Sequence, residues 1–480
     1  MKTHDLTSRK GSPRILSSGA VNARTLALLD AARTFTVRVG IVSVAIVSLG
    51  AQSSSMNTLG ERYARLVLAM GQHDADYVDA YYGPPEWRTE AEAAKIPLAE
   101  IVTRAAALAR DLAAAAPQPD SMRRGPSRPA DEEELLRLRH AYISRQLGAL
   151  RARASMLEAS ADPKGPRRTF DEESKALYDA VAPTHSAAEF EQVLAELEKK
   201  LPGQGPLVQR YDEFRNRFII PKERLDATFT AAIEGCRSRT LQHIALPRGE
   251  TFTVEYVTGK SWSGYNWYQG NYRSLIQVNT DLPIYIDRAI DLACHEGYPG
   301  HHVYNVLLEK NLVRDRGWVE FTVYPLFSPQ SLIAEGTANY GIDVAFPRAE
   351  RLEFERRVLF PAAQLESAVA PQYYDVLALV EKLSYAGNEA ARRYLDGEID
   401  RNAAIDWLEK YGLYSRPRAE QRVRFIEQYR SYVINYNLGK DMVAAHIEAR
   451  GGTPDNPNTR WEEFARLISS PRLPSGLTSK

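Results

Sequence analysis

Residues 295–302 read His295-Glu296-Gly297-Tyr298-Pro299-Gly300-His301-His302 and contain three of the nine histidines in the 480-residue chain. Imidazole nitrogens and carboxylate oxygens are the ligands that a borderline-soft divalent cation such as zinc selects. In zinc peptidases, a helical histidine binds the metal, and the glutamate that follows it acts as general base toward water. The stretch therefore predicts a metal site with His295 as a ligand and Glu296 as the base.

The spacing of these histidines requires a break in the helix. In the usual H-E-x-x-H motif the histidines lie four residues apart, but here that position is Pro299. On an unbroken helix, His301 would point about 240° away from His295, and His302 would lie on the same face about 10.5 Å along the axis. Proline lacks an N–H and Gly300 accepts almost any backbone angle, so a break at this pair can turn His301 toward His295. We predict His295 and His301 as ligands, with His302 as the alternative.

A third protein ligand is needed to leave one coordination position open, and the best candidate is Glu335. Ser328 suits an N-cap and Pro329 the first helical position, which places Glu335 about two turns into an apolar helix. A carboxylate in such surroundings is costly unless it is paired or bound to a metal. Asn339, four residues later, shares the same helix face and could orient a ligand histidine.

The two motifs together resemble a bacterial family long catalogued as a domain of unknown function. Its HE-x-x-P-G-H-H and E-G-x-A-x-Y motifs match residues 295–302 and 335–340, and the likeness extends from about Leu59 to the C-terminus. Thr337 stands where the family usually has tryptophan. The family is similar to the gluzincin metallopeptidases. The resemblance therefore implies a bound Zn²⁺ and a mainly α fold, with a small β-sheet next to the active site and two helical halves around a cleft.

The amino-acid composition limits the classes of partner that the protein can bind and the roles that its cysteines can have. The formal net charge is zero, which argues against a protein that binds nucleic acid or anionic membranes through bulk charge. Two cysteines, Cys236 and Cys294, are too few for a disulfide framework. We expect Cys294 to be a free, buried helix residue, although its place beside His295 would also suit a ligand or a nucleophile.

The chain divides into an N-terminal extension and two further parts. In the extension, residues 1–55, the apolar segment 39–51 is shorter than the roughly 20 residues that span a membrane, but it fits the h-region of a signal peptide. We predict export to the periplasm or the medium, or otherwise a cytoplasmic location, with no integral membrane segment in the mature chain. Residues 56–240 are predicted to be a helical N-terminal half, and residues 241–480 the catalytic half.

Strands are predicted just ahead of the histidine motif. Phe252, Val254 and Tyr256 alternate with polar residues, and Ser274–Thr280 resembles a second strand. An open strand beside a metal site could pair with an extended peptide by β-augmentation. An ordinary small sheet with an aromatic core is the alternative interpretation.

These residues predict metal-assisted hydrolysis of a short peptide or a small amide. Zinc would lower the pKa of water, and Glu296 would take its proton and return it to the leaving amine. Tyr436, Tyr432 and Arg430 are candidates by residue type for donating to the oxyanion. Two alternatives stay open. One is a zinc hydrolase of a non-peptide amide or an ester. The other is a non-catalytic exported helical protein whose structural metal uses Cys294 or His302 as an extra ligand.

Overall fold

Helices form most of the part of the chain that the computed structural model describes, which comprises residues 56–115, 130–161 and 167–478. The α-helices in chain order are α1 (56–70), α2 (Pro85–Ala94), α3 (Leu98–Ala114), α4 (Ala130–Ala161), α5 (Phe170–Tyr178), α6 (Ala187–Lys200), α7 (Leu207–Asn216), α8 (Leu225–Leu241), α9 (Asp287–Leu292), α10 (His301–Leu308), α11 (Pro329–Ala345), α12 (Arg348–Phe354), α13 (Phe360–Ala362), α14 (Ala370–Glu381), α15 (Ala386–Leu395), α16 (Arg401–Gly412), α17 (Arg416–Tyr429), α18 (Ile434–Glu448), α19 (Pro457–Ile468) and α20 (Pro474–Leu477). The helices α9, α10 and α12 continue as π-helical segments, which are Ala293–Gly297, Glu309–Arg314 and Glu355–Leu359. Short 3₁₀ segments cover Lys222–Arg224, Val319–Thr322, Ser367–Val369 and Arg430–Val433.

The strands of the described residues form two small sheets. They are β1 (Val78–Tyr81), β2 (Thr251–Val257), β3 (Gly264–Gly270), β4 (Arg273–Asn279) and β5 (Val323–Pro325). In the larger sheet, β4 lies between β2 and β3, parallel to β2 and antiparallel to β3. In the smaller sheet, β1 pairs with β5 in antiparallel fashion, with Val78 opposite Pro325 and Tyr81 opposite Val323. This pairing brings a strand from early in the chain beside the start of α11.

The predicted fold class, mainly α with a small β-sheet next to the motif, is confirmed. The strands predicted at 252–256 and 274–280 are present as β2 and β4. Three strands were not predicted: β3, β5 and β1, the last of which falls in the part predicted to be helical. The partner of β1 lies more than 200 residues away, so local periodicity carries little signal for it.

Helix α11 forms the centre of the core, because all of its residues except Asn339 and Asp343 are buried. It crosses α18 at unusually close range. A Cβ atom on Gly439 of α18 would lie 2.8 Å from the carbonyl oxygen of Leu332 and 2.9 Å from the Cα atom of Gly336. Both helices therefore depend on glycine at the crossing, since any larger residue would push their backbones apart.

The predicted N-terminal extension, including the 39–51 segment, lies outside the described residues. The described residues belong to one compact unit. The division at residue 240 stays a prediction. None of the helices in the described ranges is both long and apolar enough to cross a membrane.

We expect Gly439→Ala to destabilise the protein by about 1–3 kcal/mol, because the added methyl group overpacks the crossing of α11 and α18. The matched control is Gly148→Ala on α4, where an added Cβ meets no atom within 4 Å. That change should be neutral or stabilise by up to about 1 kcal/mol, since alanine has the higher helix propensity. Urea unfolding followed by circular dichroism measures both. Equal unfolding free energies for the two variants would contradict the close crossing.

Candidate metal centre

The helix is interrupted between His295 and His301. After α9, the π-helical segment Ala293–Gly297 ends the helix, and α10 begins at His301. The N–H of Gly300 donates to the carbonyl oxygen of Cys294 at 2.9 Å. A Cβ atom at position 300 would overlap the carbonyl oxygen of His295, so this approach of two backbone segments requires glycine. The predicted break at the proline-glycine pair is thus present in the structure, with a cis peptide bond between Tyr298 and Pro299.

The break brings His295 and His301 together, and α11 adds Glu335 to form a group of three candidate ligands. The Nε2 atoms of His295 and His301 lie 3.1 Å apart. Glu335 Oε2 lies 3.2 Å from Nε2 of His295 and 3.7 Å from Nε2 of His301. A tetrahedral cation with bonds of about 2.1 Å separates its ligand atoms by about 3.4 Å. The three separations scatter around that value, so the set fits a divalent cation such as zinc.

Two hydrogen bonds fix the orientation of the His295 ring. Asn339 donates through Nδ2 to the carbonyl oxygen of Tyr436 at 3.1 Å, so its Oδ1 atom faces Nδ1 of His295, also at 3.1 Å. An amide oxygen can only accept, so Nδ1 must carry the proton of this ring. The lone pair is therefore on Nε2, the atom that faces Glu335. A metal-binding histidine commonly has this arrangement.

One carboxylate oxygen of Glu335 accepts a hydrogen bond, and the other oxygen faces the two histidines. Tyr432 donates its hydroxyl to Oε1 at 2.7 Å. The buried Oε2 atom has no hydrogen-bond partner in the described part of the chain. Burial opposes ionisation of Glu335, but the imidazoles of His301 and His295 hold the pKa of its carboxyl well below the usual range. Against the opposing effect of burial, the Glu335 carboxylate raises the pKa of His301 to about 9. A buried anion with an unused oxygen beside two imidazoles is what a cation site requires.

Glu296 lies buried between the ligand histidines and strand β3. Its backbone oxygen accepts from Asn266 Nδ2 at 2.7 Å. A Cβ atom on Gly264 would lie 2.8 Å from Glu296 Oε1, so the glycine makes room for the carboxyl group. Burial raises the pKa of the Glu296 carboxyl above its ordinary value, although the imidazoles of His295 and His301 oppose the shift. The environment thus favours proton uptake by this group.

Of the predicted oxyanion donors, Tyr436 lies beside the ligands. Its ring stacks on the His295 ring with centroids 6.5 Å apart. Burial and the nearby carboxylates of Glu335 and Glu296 raise the pKa of Tyr436 well above its ordinary value, so the hydroxyl keeps its proton and can donate. The Tyr432 hydroxyl already donates its hydrogen to Glu335 and so is not directed at a substrate oxyanion.

Two of the predicted site residues face elsewhere. His302, the alternative ligand, bonds through Nε2 to Glu250 at 3.0 Å and through Nδ1 to the Ser274 hydroxyl at 2.9 Å. It follows His301 directly on α10, so its side chain points about 100° away, toward the sheet. Arg430 forms an ion pair with Glu173 at 2.7 Å. The structure brings neither His302 nor Arg430 to the ligand atoms.

Asp79 was not predicted as a site residue. It lies on β1, which pairs with β5, and its carboxylate accepts a hydrogen bond from the Tyr265 hydroxyl of β3. Burial raises the pKa of Asp79 to about 7; His301 opposes the shift, and the carboxylates of Glu335 and Glu296 add to it. Local sequence patterns gave no signal for Asp79, because only the β1–β5 pairing places it near the candidate ligands.

The expectation of a free Cys294 is wrong, because it forms a disulfide with Cys236. The bond joins α8 to the π-helical segment Ala293–Gly297, and its cysteine in that segment directly precedes His295. Sequence reasoning missed the pair because the cysteines lie 58 residues apart. A disulfide-bonded sulfur is not available as a metal ligand or a nucleophile.

Comparisons with known proteins add structural likenesses at low identity. No family model and no curated protein matches the chain, so the family resemblance of its motifs stays a prediction. A candidate lipoprotein from Colwellia psychrerythraea has 13% identity and a TM-score of 0.46, over 81% of this chain and 70% of that one. A candidate lipoprotein of unknown function from Shewanella oneidensis has 14% identity and a TM-score of 0.42, over 81% and 78%. An M32 carboxypeptidase from Deinococcus radiodurans R1 has 14% identity and a TM-score of 0.41, over 87% and 89%.

Proposed function

We propose that the chain is a zinc-dependent metallopeptidase that hydrolyses short peptides. The observation that carries this proposal is the convergence of ligand atoms from His295, His301 and Glu335 within 4.8 Å of one another. A cation held by this set supplies Lewis acidity, which lowers the pKa of water and polarises a carbonyl group. Three protein ligands leave one coordination position open, which is typical of catalytic rather than structural zinc sites.

In this proposal Glu296 moves the proton. It accepts a proton from the attacking water as the new carbon–oxygen bond forms, and it passes that proton to the leaving nitrogen as the carbon–nitrogen bond breaks. Tyr436 donates its hydroxyl hydrogen to the developing oxyanion. Tyr432 holds the Glu335 carboxylate and Asn339 holds the His295 ring, so both position ligands without touching the substrate.

Strand β3 supports a peptide as the substrate. It is an edge strand of the three-stranded sheet, and Gly264 and Asn266 on it contact Glu296. An edge strand presents backbone donors and acceptors to an extended chain, which can pair with it by β-augmentation. A peptide bound along β3 would pass directly beside the general base.

The rival functions differ in how well they agree with the site. A hydrolase of a non-peptide amide or an ester would use the same residues, so only its substrate separates it from a peptidase. A structural metal would need a fourth protein ligand. The two residues considered for that role are engaged elsewhere, Cys294 in the disulfide and His302 with Glu250 and Ser274.

Export is part of the proposal. A disulfide persists in the oxidising environment outside the cytoplasm, and the Cys236–Cys294 pair agrees with the signal peptide predicted at residues 39–51. The mature protein would then act on peptides in the periplasm or the medium.

The function is tested by digesting a mixed library of short peptides with zinc-loaded protein and analysing the products by mass spectrometry. A panel of small amides and esters is treated in parallel. We expect cleavage of peptides that is lost after chelation and restored by zinc. Activity confined to the small amides or esters would replace the peptidase assignment with the first rival, and no hydrolysis by zinc-loaded protein would contradict the proposal.

We expect His301→Ala to lose most of its bound zinc at limiting metal concentration, because two ligands rather than three remain. The matched control is the adjacent His302→Gln, which keeps a donor toward Glu250 and should bind zinc like the wild type. Dialysis against buffered zinc, followed by elemental analysis, gives the stoichiometry. Stoichiometric zinc in His301→Ala, or loss of zinc only in His302→Gln, would contradict the assignment of His301 rather than His302 as the metal ligand.

We expect Glu296→Gln to keep stoichiometric zinc and the wild-type fold while kcat falls by at least about 100-fold, since an amide cannot take up the proton. Elemental analysis and peptide hydrolysis measured on the same preparation check both parts. A variant with zinc and near wild-type kcat would remove Glu296 from the mechanism.

A further inference from the structure

Arg422 on α17 has no acidic partner among the residues that the structure describes. Its Nε atom is buried there and lacks a hydrogen-bond partner. By contrast, Arg416 at the start of the same helix is ion-paired with Asp406 and, at 2.7 Å, with Glu409. A partly buried guanidinium without a counter-ion is costly, and it is therefore a candidate for binding an anionic group of a ligand.

The Tyr436 ring neighbours both Arg422 and His295, which is one of the proposed metal ligands. The Cζ atom of Arg422 is 5.8 Å from the centroid of the Tyr436 ring and 4.8 Å from that of Phe425. The Tyr436 ring also neighbours His295, at a centroid distance of 6.5 Å. An anion bound by Arg422 would thus lie near the proposed oxyanion donor without displacing a ligand of the cation.

A second arginine lies on the same helix as Arg422. Arg418 lies one turn before Arg422, on the same face of α17. It lines a small cavity with Arg288 and Leu292 of α9. The Cδ2 atom of Leu292 and the Oε1 atom of Glu296 would both lie 2.8 Å from a Cβ on Gly264, so one of the residues that line this cavity also lies near Glu296. Within the described part of the chain, no carboxylate forms an ion pair with Arg418 either.

The side on which these arginines lie indicates which part of a substrate they meet. Glu296 delivers its proton to the leaving nitrogen, so the leaving fragment must occupy the space next to Glu296. One residue of extended chain spans at most about 3.6 Å, so a group one residue beyond the scissile bond is within reach of a long guanidinium side chain. The planar fork of arginine matches a carboxylate through two parallel hydrogen bonds.

We infer that Arg422, assisted by Arg418, binds a carboxylate carried by the residue that leaves, so that the substrates are peptides cleaved next to a free C-terminal carboxylate. This inference rests on the proposed peptidase function and narrows it from peptides in general to release of a single C-terminal residue. Arg422 would set specificity through contact with the substrate, while Glu296 and Tyr436 carry the chemistry.

The kinetic test uses N-blocked dipeptides in three forms: the free acid, the C-terminal amide, and the C-terminal amide with aspartate as the leaving residue. We expect wild-type kcat/KM for the free acid to exceed that for the amide by roughly 100-fold, because only the carboxylate gains a charge-assisted pair with the Arg422 guanidinium. Cleavage of the free acid alone assigns the terminal carboxylate as the group bound. Comparable cleavage of the aspartyl amide assigns the side-chain carboxylate, and it would overturn release of a C-terminal residue as the specificity.

Variants of Arg422 test whether this residue recognises the substrate carboxylate. Arg422→Met should lower kcat/KM for the free acid by roughly 100-fold, mainly through KM, and leave the amide within about threefold of the wild type. Arg422→Lys should restore part of the loss, because lysine keeps the charge without the fork. Arg416→Met on the same helix is the matched control and should not alter the ratio of acid to amide. Equal losses for acid and amide in Arg422→Met would overturn the inference, and so would equal wild-type rates on acid and amide.

A binding measurement separates this inference from the proposed function. Zinc-loaded Glu296→Gln is titrated calorimetrically with the free-acid dipeptide and with its amide, and the same is done in Glu296→Gln combined with Arg422→Met. We expect tighter binding of the acid by at least about tenfold, lost in the double variant. If that difference is found while the wild type hydrolyses no peptide, carboxylate recognition stands and the peptidase proposal fails. If acid and amide bind equally, the inference fails whatever the wild type hydrolyses.

Discussion

The close approach of Gly300 to the carbonyl oxygen of His295 is the constraint on which the site depends. Two imidazoles separated by five residues cannot share one ion on a regular helix. The π-helical end of α9 and the turn through Pro299 allow α10 to start at His301 with its Nε2 atom 3.1 Å from that of His295. Any side chain at position 300 would separate the two backbone segments and with them the two rings.

The remaining site residues are placed by long-range packing around that turn. Glu335 is delivered by α11, whose position depends on the glycine crossing with α18. The segment that follows α17 supplies Tyr432, and α18 supplies Tyr436 and the backbone oxygen that orients Asn339. The short β1–β5 sheet adds Asp79. Because the groups come from several elements that lie far apart in the sequence, the site exists only in the folded chain.

The electrostatics of the site agree with a bound cation. Glu296, Glu335 and Asp79 are carboxyl groups that influence one another's ionisation within a largely buried space. Like charges so placed repel one another and lose hydration, which raises the free energy of the site. In the metal-free protein, part of that repulsion is relieved by proton uptake, as the raised pKa values of His301 and Asp79 indicate. A divalent cation would relieve it more effectively, because its charge lies at the point where the three ligand atoms meet.

The residues of the histidine motif were predictable from sequence because proline, glycine and histidine each restrict local geometry. The helix that carries Glu335 was predictable from its start signals, Ser328 and Pro329. Local sequence patterns could not predict the features that depend on contacts between distant parts of the chain. The position of Asp79 depends on the β1–β5 register, and the Cys236–Cys294 bond depends on the packing of α8 on α9. That Arg422 has no acidic partner among the described residues could be seen only from the folded structure. The choice between His301 and His302 needed the direction in which α10 leaves the turn.

A crystal of zinc-loaded protein measured on both sides of the zinc absorption edge tests the central claim most directly. The account predicts one strong anomalous peak about 2.0–2.2 Å from His295 Nε2, His301 Nε2 and a Glu335 oxygen, with a fourth position open to solvent. A peak bound by His302 or lying away from Glu335, or no peak at these residues in protein that contains stoichiometric zinc, would contradict it.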